Sequence, residues 1–120
     1  MPNKDLSREI INYLSSNRRF NADKETLNEL LSSLEPDRLN ALKRFLVKLN
    51  SEIESYGRIK KVNLTVAETD GDINNLGLSF MFDDDESFDK IEAFLSKINE
   101  LKRDIDKAGL LWFIDIGVKF

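Results

Sequence analysis

Apolar residues recur through the first half of the chain at the three- and four-residue spacing of one-sided helices, then switch to every other residue. Leu6, Ile10, Ile11 and Leu14 share the face of a first helix that ends in the polar stretch from Ser15 to Arg19. Phe20 stands alone after it. Asn21 or Asp23 can cap a second helix carrying Leu27, Leu30, Leu31 and Leu34, because a short oxygen-bearing side chain satisfies the free N–H groups of a first turn. Pro36 suits the first turn of a third helix, where its missing N–H has no partner to lose. Leu39, Leu42, Phe45, Leu46, Leu49, Ile53 and Tyr56 of that helix fall within an arc of ~120°. Gly57 supplies the stop.

Beyond Gly57, Val62, Leu64 and Val66 alternate with Lys61, Asn63 and Thr65. Leu76, Leu78, Phe80 and Phe82 alternate with Asn75, Gly77, Ser79 and Met81. Between these runs Asp70 and Gly71 bring tight-turn chemistry, so the segment predicts a β-hairpin whose alternate faces are mostly polar. A last helix carries Phe88, Ile91, Phe94, Leu95, Ile98, Leu101 and Ile105 on one stripe and stops at Gly109. Leu110 to Phe120 then reads as a strand. Leu110, Trp112, Ile114, Ile116, Val118 and Phe120 lie on one of its faces, and Leu111, Phe113, Asp115, Gly117 and Lys119 on the other. The predicted fold class is α+β: an N-terminal three-helix layer followed by a β-β-α-β unit with a three-stranded, mostly antiparallel sheet. A right-handed crossover sets the last strand parallel to the second, with the first strand between them. A chain of 120 residues is near the commonest domain size, so one domain is expected, with a helical lobe over 1–57 and a β-β-α-β lobe over 58–120.

Composition narrows the chemistry. Neither histidine nor cysteine is present, which excludes a disulfide framework, thiolate zinc, imidazole acid–base work and Ser-His or Cys-His nucleophiles. General acid–base catalysis would fall to Asp, Glu, Lys or Tyr, and among 22 acids a neighbouring pair carries no information. Five glycines form no phosphate-cradling loop. The expectation is a protein that is not an enzyme and needs no cofactor. No signal-like apolar run follows Met1, and the longest unbroken one, Leu110 to Ile114, is far short of the ~20 residues that cross a bilayer. A soluble, cytoplasmic protein with no membrane partner is expected. The net charge of −4 divides unevenly: residues 1–61 hold 12 basic against 9 acidic side chains, and residues 62–120 hold 6 against 13. Such asymmetry can orient a partner or a second copy.

Two acidic segments invite a metal reading. Asp83, Asp84, Asp85 and Glu86 are consecutive, so they point in different directions and match no ligand spacing; at the start of a helix they suit its positive end instead. Asp70, Asp72 and Asn74 imitate the opening of a calcium loop, but Asn75 takes the place of its turn glycine and Met81 that of its bidentate glutamate. No metal site is assigned. Leu111 and Phe113 pose a different question. They make the start of the last strand apolar on both faces, so either the N-terminal helices or another chain must cover them.

The third helix carries Asn40, Arg44, Val47, Lys48, Ser51 and Ser55 opposite its apolar stripe. From Leu6 to Phe82 the order helix–helix–helix–hairpin resembles that of winged-helix DNA-binding domains. Leu39 to Asn50, followed by Gly57 to Val62, looks like their recognition helix running into a first wing strand. The resemblance implies that Asn40, Arg44 and Lys48 face the major groove and that Arg58, Lys60 and Lys61 meet phosphates. Two functions are therefore expected. The first is a non-enzymatic regulatory or interaction protein whose partner is another protein or a second copy, as a homodimer. Its contact would be Leu111 and Phe113, with Asp83, Asp84 and Asp85 as a charged rim. The alternative is a winged-helix-like DNA-binding regulator.

Overall fold

Residues 2–69, 72–105, 109, 111 and 113–119 are described by a computed structural model, with side chains except at 2–4, 68, 69 and 72–74. The elements run α1 (Pro2–Ser15), β1 (Phe20–Ala22), α2 (Lys24–Ser33), α3 (Pro36–Tyr56), β2 (Ile59–Thr69), β3 (Asp72–Phe82), α4 (Phe88–Ile105) and β4 (Ile114–Val118). Local chemistry sets their ends. Asp23 caps α2 by accepting the Glu25 N–H at 3.1 Å, and Pro36 opens α3. Gly57 closes α3 with φ 72°, its N–H donating to the Ile53 carbonyl at 3.0 Å. Such a left-handed backbone strains any residue with a Cβ.

The fold is α+β, but its sheet differs from the expected three strands. Four strands lie in the order β1-β2-β3-β4, with β1 parallel to β2, β2 antiparallel to β3, and β3 parallel to β4. Phe20 is the residue that pattern reading left isolated. It pairs with Val62, and Ala22 with Leu64, so a segment of the helical half is built into the sheet. With β1 on one side of β2 and β3 on the other, no edge of β2 remains for β4, which takes the outer edge of β3. The parallel relation of β4 to β3 is the expected one; the interposed first strand is not. The tight turn at Asp70 and Gly71 lies outside the described residues.

Register aligns the apolar positions of all four strands on one face. Phe20, Val62, Phe80 and Val118 form one row across the sheet, and Ala22, Leu64, Leu78 and Ile116 the next. The helices pack on this face. Phe94 of α4 meets Phe80 edge-to-face with ring centroids 5.5 Å apart, and Tyr56 of α3 meets Phe82 at 5.8 Å. The seven predicted apolar positions of α3 are buried except Tyr56, which is half-buried. Leu111 and Phe113 join this same core at 0% and 2% exposure, which corrects their assignment as a contact surface. The Ile114 N–H donates to the Leu111 carbonyl at 3.1 Å, so Leu111 and Phe113 belong to a turn and β4 begins only at Ile114. A turn frees successive side chains from strict alternation, and Leu111, Phe113 and Ile114 all enter the interior. Leu110, Trp112 and Phe120, also assigned to that strand, lie outside the described residues.

Candidate interaction surfaces

The acidic run and part of the basic run, predicted as separate sites, come together. The Asp83 N–H donates to the Arg58 carbonyl at 2.9 Å, continuing the β2–β3 ladder by one pair, and a turn from Asp83 to Glu86 folds the acids over the start of β2. Arg58 pairs with Asp85, with Asp83 at 3.5 Å and with Glu86 at 3.7 Å, while Lys60 reaches Asp84 at 2.8 Å. Hydrogen bonds within these pairs raise the Arg58 and Lys60 pKa values and lower that of Asp85. Two cations thus offset half of the charge of Asp83, Asp84, Asp85 and Glu86. Asp84 and Asp85 keep 96% and 78% of their side-chain surface in solvent, where paired charges add little to stability. Charges already paired are also weaker handles, for phosphates in the case of Arg58 and Lys60 and for a basic partner in the case of the acids.

Glu86 differs from its neighbours because its side chain is only 4% exposed. It accepts the Tyr56 hydroxyl proton and the Ser87 N–H, the latter at 3.0 Å. The phenol bond, more than any other influence, holds the carboxyl below its ordinary pKa. Burial first, and then this acceptor, push the Tyr56 phenol up to about 12. The pair ties the last turn of α3 to the entry of α4. Nothing in the sequence pattern marked it, since the residues are thirty positions apart.

Asn40, Arg44 and Lys48 all project from the solvent side of α3, where Val47 is 45% exposed. Lys61 is exposed on the opposite side of the molecule, on the sheet face turned away from the helices. The major-groove and phosphate sets implied by the winged-helix resemblance are therefore split between α3, the ion-pair cluster and the sheet.

Apart from Lys61, that outer sheet face holds Asp115, Gly117 and a row of hairpin positions assigned to no predicted site. Its positions are Asn21 on β1; Lys61, Asn63, Thr65 and Ala67 on β2; Asn75, Gly77, Ser79 and Met81 on β3; and Asp115 and Gly117 on β4. All are exposed or half-buried, and among the described residues no helix covers them. Asn21 donates through its amide to the Asn63 carbonyl oxygen at 3.0 Å, joining β1 to β2. At Gly77 a Cβ would stand 2.9 Å from Thr65 Oγ1, so the Thr65 side chain would have to move to admit one. Gly117 has no such neighbour: a Cβ would meet nothing within 4 Å. The polar alternate positions of the hairpin were the available signal for this face. The chain matches no family model, no curated protein and no solved structure with which it was compared.

Proposed function

We propose that this protein is a non-enzymatic interaction module that binds a protein partner through the outer face of its sheet. One observation carries the reading. Six of the eleven positions on the uncovered face, Asn21, Asn63, Asn75, Gly77, Ser79 and Gly117, hold asparagine, glycine or serine, while the covered face of the same strands carries mainly Val, Leu, Ile and Phe. Asparagine and glycine are depleted in strands, where β-branched and aromatic residues are favoured, and glycine in a strand interior weakens it. Local preference set against the fold is the mark of a surface kept for recognition. Its centre offers amide donors and acceptors and the hydroxyls of Thr65 and Ser79, with Met81 as an adaptable apolar neighbour, so it suits hydrogen-bonded docking of a polar protein surface.

A second reading, DNA binding through the outer face of α3, draws on the exposure of Asn40, Arg44 and Lys48. The pairing of Arg58 and Lys60 with acids and the net charge of −4 both oppose phosphate-driven affinity. One experiment separates the readings. The immobilised wild type is challenged with native-host extract and with duplex DNA, alongside a Ser79→Arg/Asn63→Glu variant and an Arg44→Glu/Lys48→Glu variant. The proposal expects a stoichiometric protein partner that is lost with the sheet variant and kept with the helix variant. Salt-sensitive duplex binding abolished by the helix variant would establish the second reading instead.

A further inference from the structure

We infer that β4 is a self-complementary edge through which two copies of this chain pair antiparallel, joining their sheets into one. The inference stands on the edge itself and not on the partner proposed for the outer face. The register decides which backbone groups are free. The Leu76 N–H donates to the Phe113 carbonyl and the Lys119 N–H to the Phe80 carbonyl, at 2.9 and 3.0 Å. Odd-numbered residues of β4 therefore bond to β3, and the N–H and C=O groups of Ile114, Ile116 and Val118 point to the open edge. The Ile114 carbonyl is already taken by Lys102 Nζ at 2.7 Å. Among the described residues, what remains free is the short stretch of Ile116 and Val118.

Antiparallel pairing of that stretch with itself has one register that uses all of its groups. Ile116 of one copy faces Val118 of the other, and the reverse, as hydrogen-bonded pairs; this places Gly117 on the two-fold axis as a non-hydrogen-bonded pair. Adjacent strands come closest at such a pair, and glycine there leaves the approach unobstructed. The same register sets Asp115 opposite Lys119 of the second copy, twice, on the outer face of the joined sheet. Opposite charges directly across a strand pair stabilise it, and a slip of two residues would lose both pairs. Asp115, Gly117 and Lys119 thus acquire a shared reason that the single chain does not supply.

The helix layer agrees. Phe88, Leu95 and Lys102 follow at seven-residue intervals and so form one line along α4. Lys102 reaches the edge of β4, which places this line beside that edge. Phe88 is 63% exposed, the largest exposure of any large hydrophobic residue described, and Leu95, Ile116 and Val118 are half-buried. A two-fold axis through Gly117 brings this flank against its own copy, adding apolar area to a backbone pairing that is too short to hold a dimer alone. Two four-stranded sheets would become one of eight strands with the outer faces side by side.

Because the chain has no native cysteine, a single introduced thiol reports the axis cleanly. Oxidation of Gly117→Cys should give a covalent dimer readily, and Thr65→Cys, two strands away on the same face, should not. Light scattering of the wild type should give twice the 13.9 kDa chain mass. Asp115→Lys and Lys119→Asp should each weaken the dimer roughly tenfold, and the double swap should restore it. A wild type that stays monomeric at its highest soluble concentration overturns the inference. So does a dimer indifferent to Asp115→Lys, or one in which both thiols cross-link equally.

Discussion

Glu86 and Tyr56 show how far a residue's neighbours can move its chemistry. The carboxyl titrates lower in the fold than in the unfolded chain, so its contribution to stability is complete above the ordinary carboxylate range and fades as pH falls below it. The phenol titrates higher, near 12 against an ordinary 10.0, so its contribution is complete below pH 10 and is lost as pH rises towards 12. Thermal melts across pH should therefore fall off at both ends. Tyr56→Phe should flatten the alkaline limb, leaving a residual slope from Tyr13, whose pKa burial also raises. Glu86→Gln should flatten the acid limb. An alkaline limb unchanged by Tyr56→Phe would remove the coupling. Neither residue stood out in the sequence, because the acid lies among three others and the tyrosine belongs to an apolar stripe.

Among the elements, α3 was fully legible from its pattern. Seven apolar positions on one arc, a proline at the first turn and a glycine after the last are local features, and each acts where it stands. Gly57 permits a direct check: Gly57→Ala should lower stability by about 1–2 kcal/mol in a denaturant melt, because its φ of 72° places a Cβ against backbone. The strands were legible in proportion to their length. β2 and β3 announced themselves by alternation. β1 has three residues and one buried side chain, too little for any period to register. It exists because the Val62 N–H donates to the Arg19 carbonyl at 2.9 Å, across more than forty residues of chain. The start of the last strand failed for the opposite reason. Leu111 and Phe113 have the right spacing, but a turn held by the Ile114 N–H overrides the alternation.

At the scale of the whole molecule, Phe113 separates a core from an interface. Phe113→Ala should destabilise the fold by about 3–5 kcal/mol in denaturant melts, and the native mass should be unaffected at concentrations where the protein remains folded. A melt unchanged by that substitution would return Phe113 to the surface. The uneven charge of the two halves is partly resolved by folding, since Arg58 and Lys60 meet acids of the second half and Lys97 meets Glu52 of the first. Among the described residues no helix is long and apolar enough to cross a membrane. The sequence by itself determined the helices, the hairpin and the mixed α and β character, because periodicity and caps are properties of neighbouring residues. Only the tertiary structure decided the strand order, the burial of Leu111 and Phe113, the joining of the acidic and basic runs and the exposure of an asparagine-, serine- and glycine-rich sheet face. Each of these depends on which distant segments share an edge or a side of the sheet, and that is settled when the whole core packs at once.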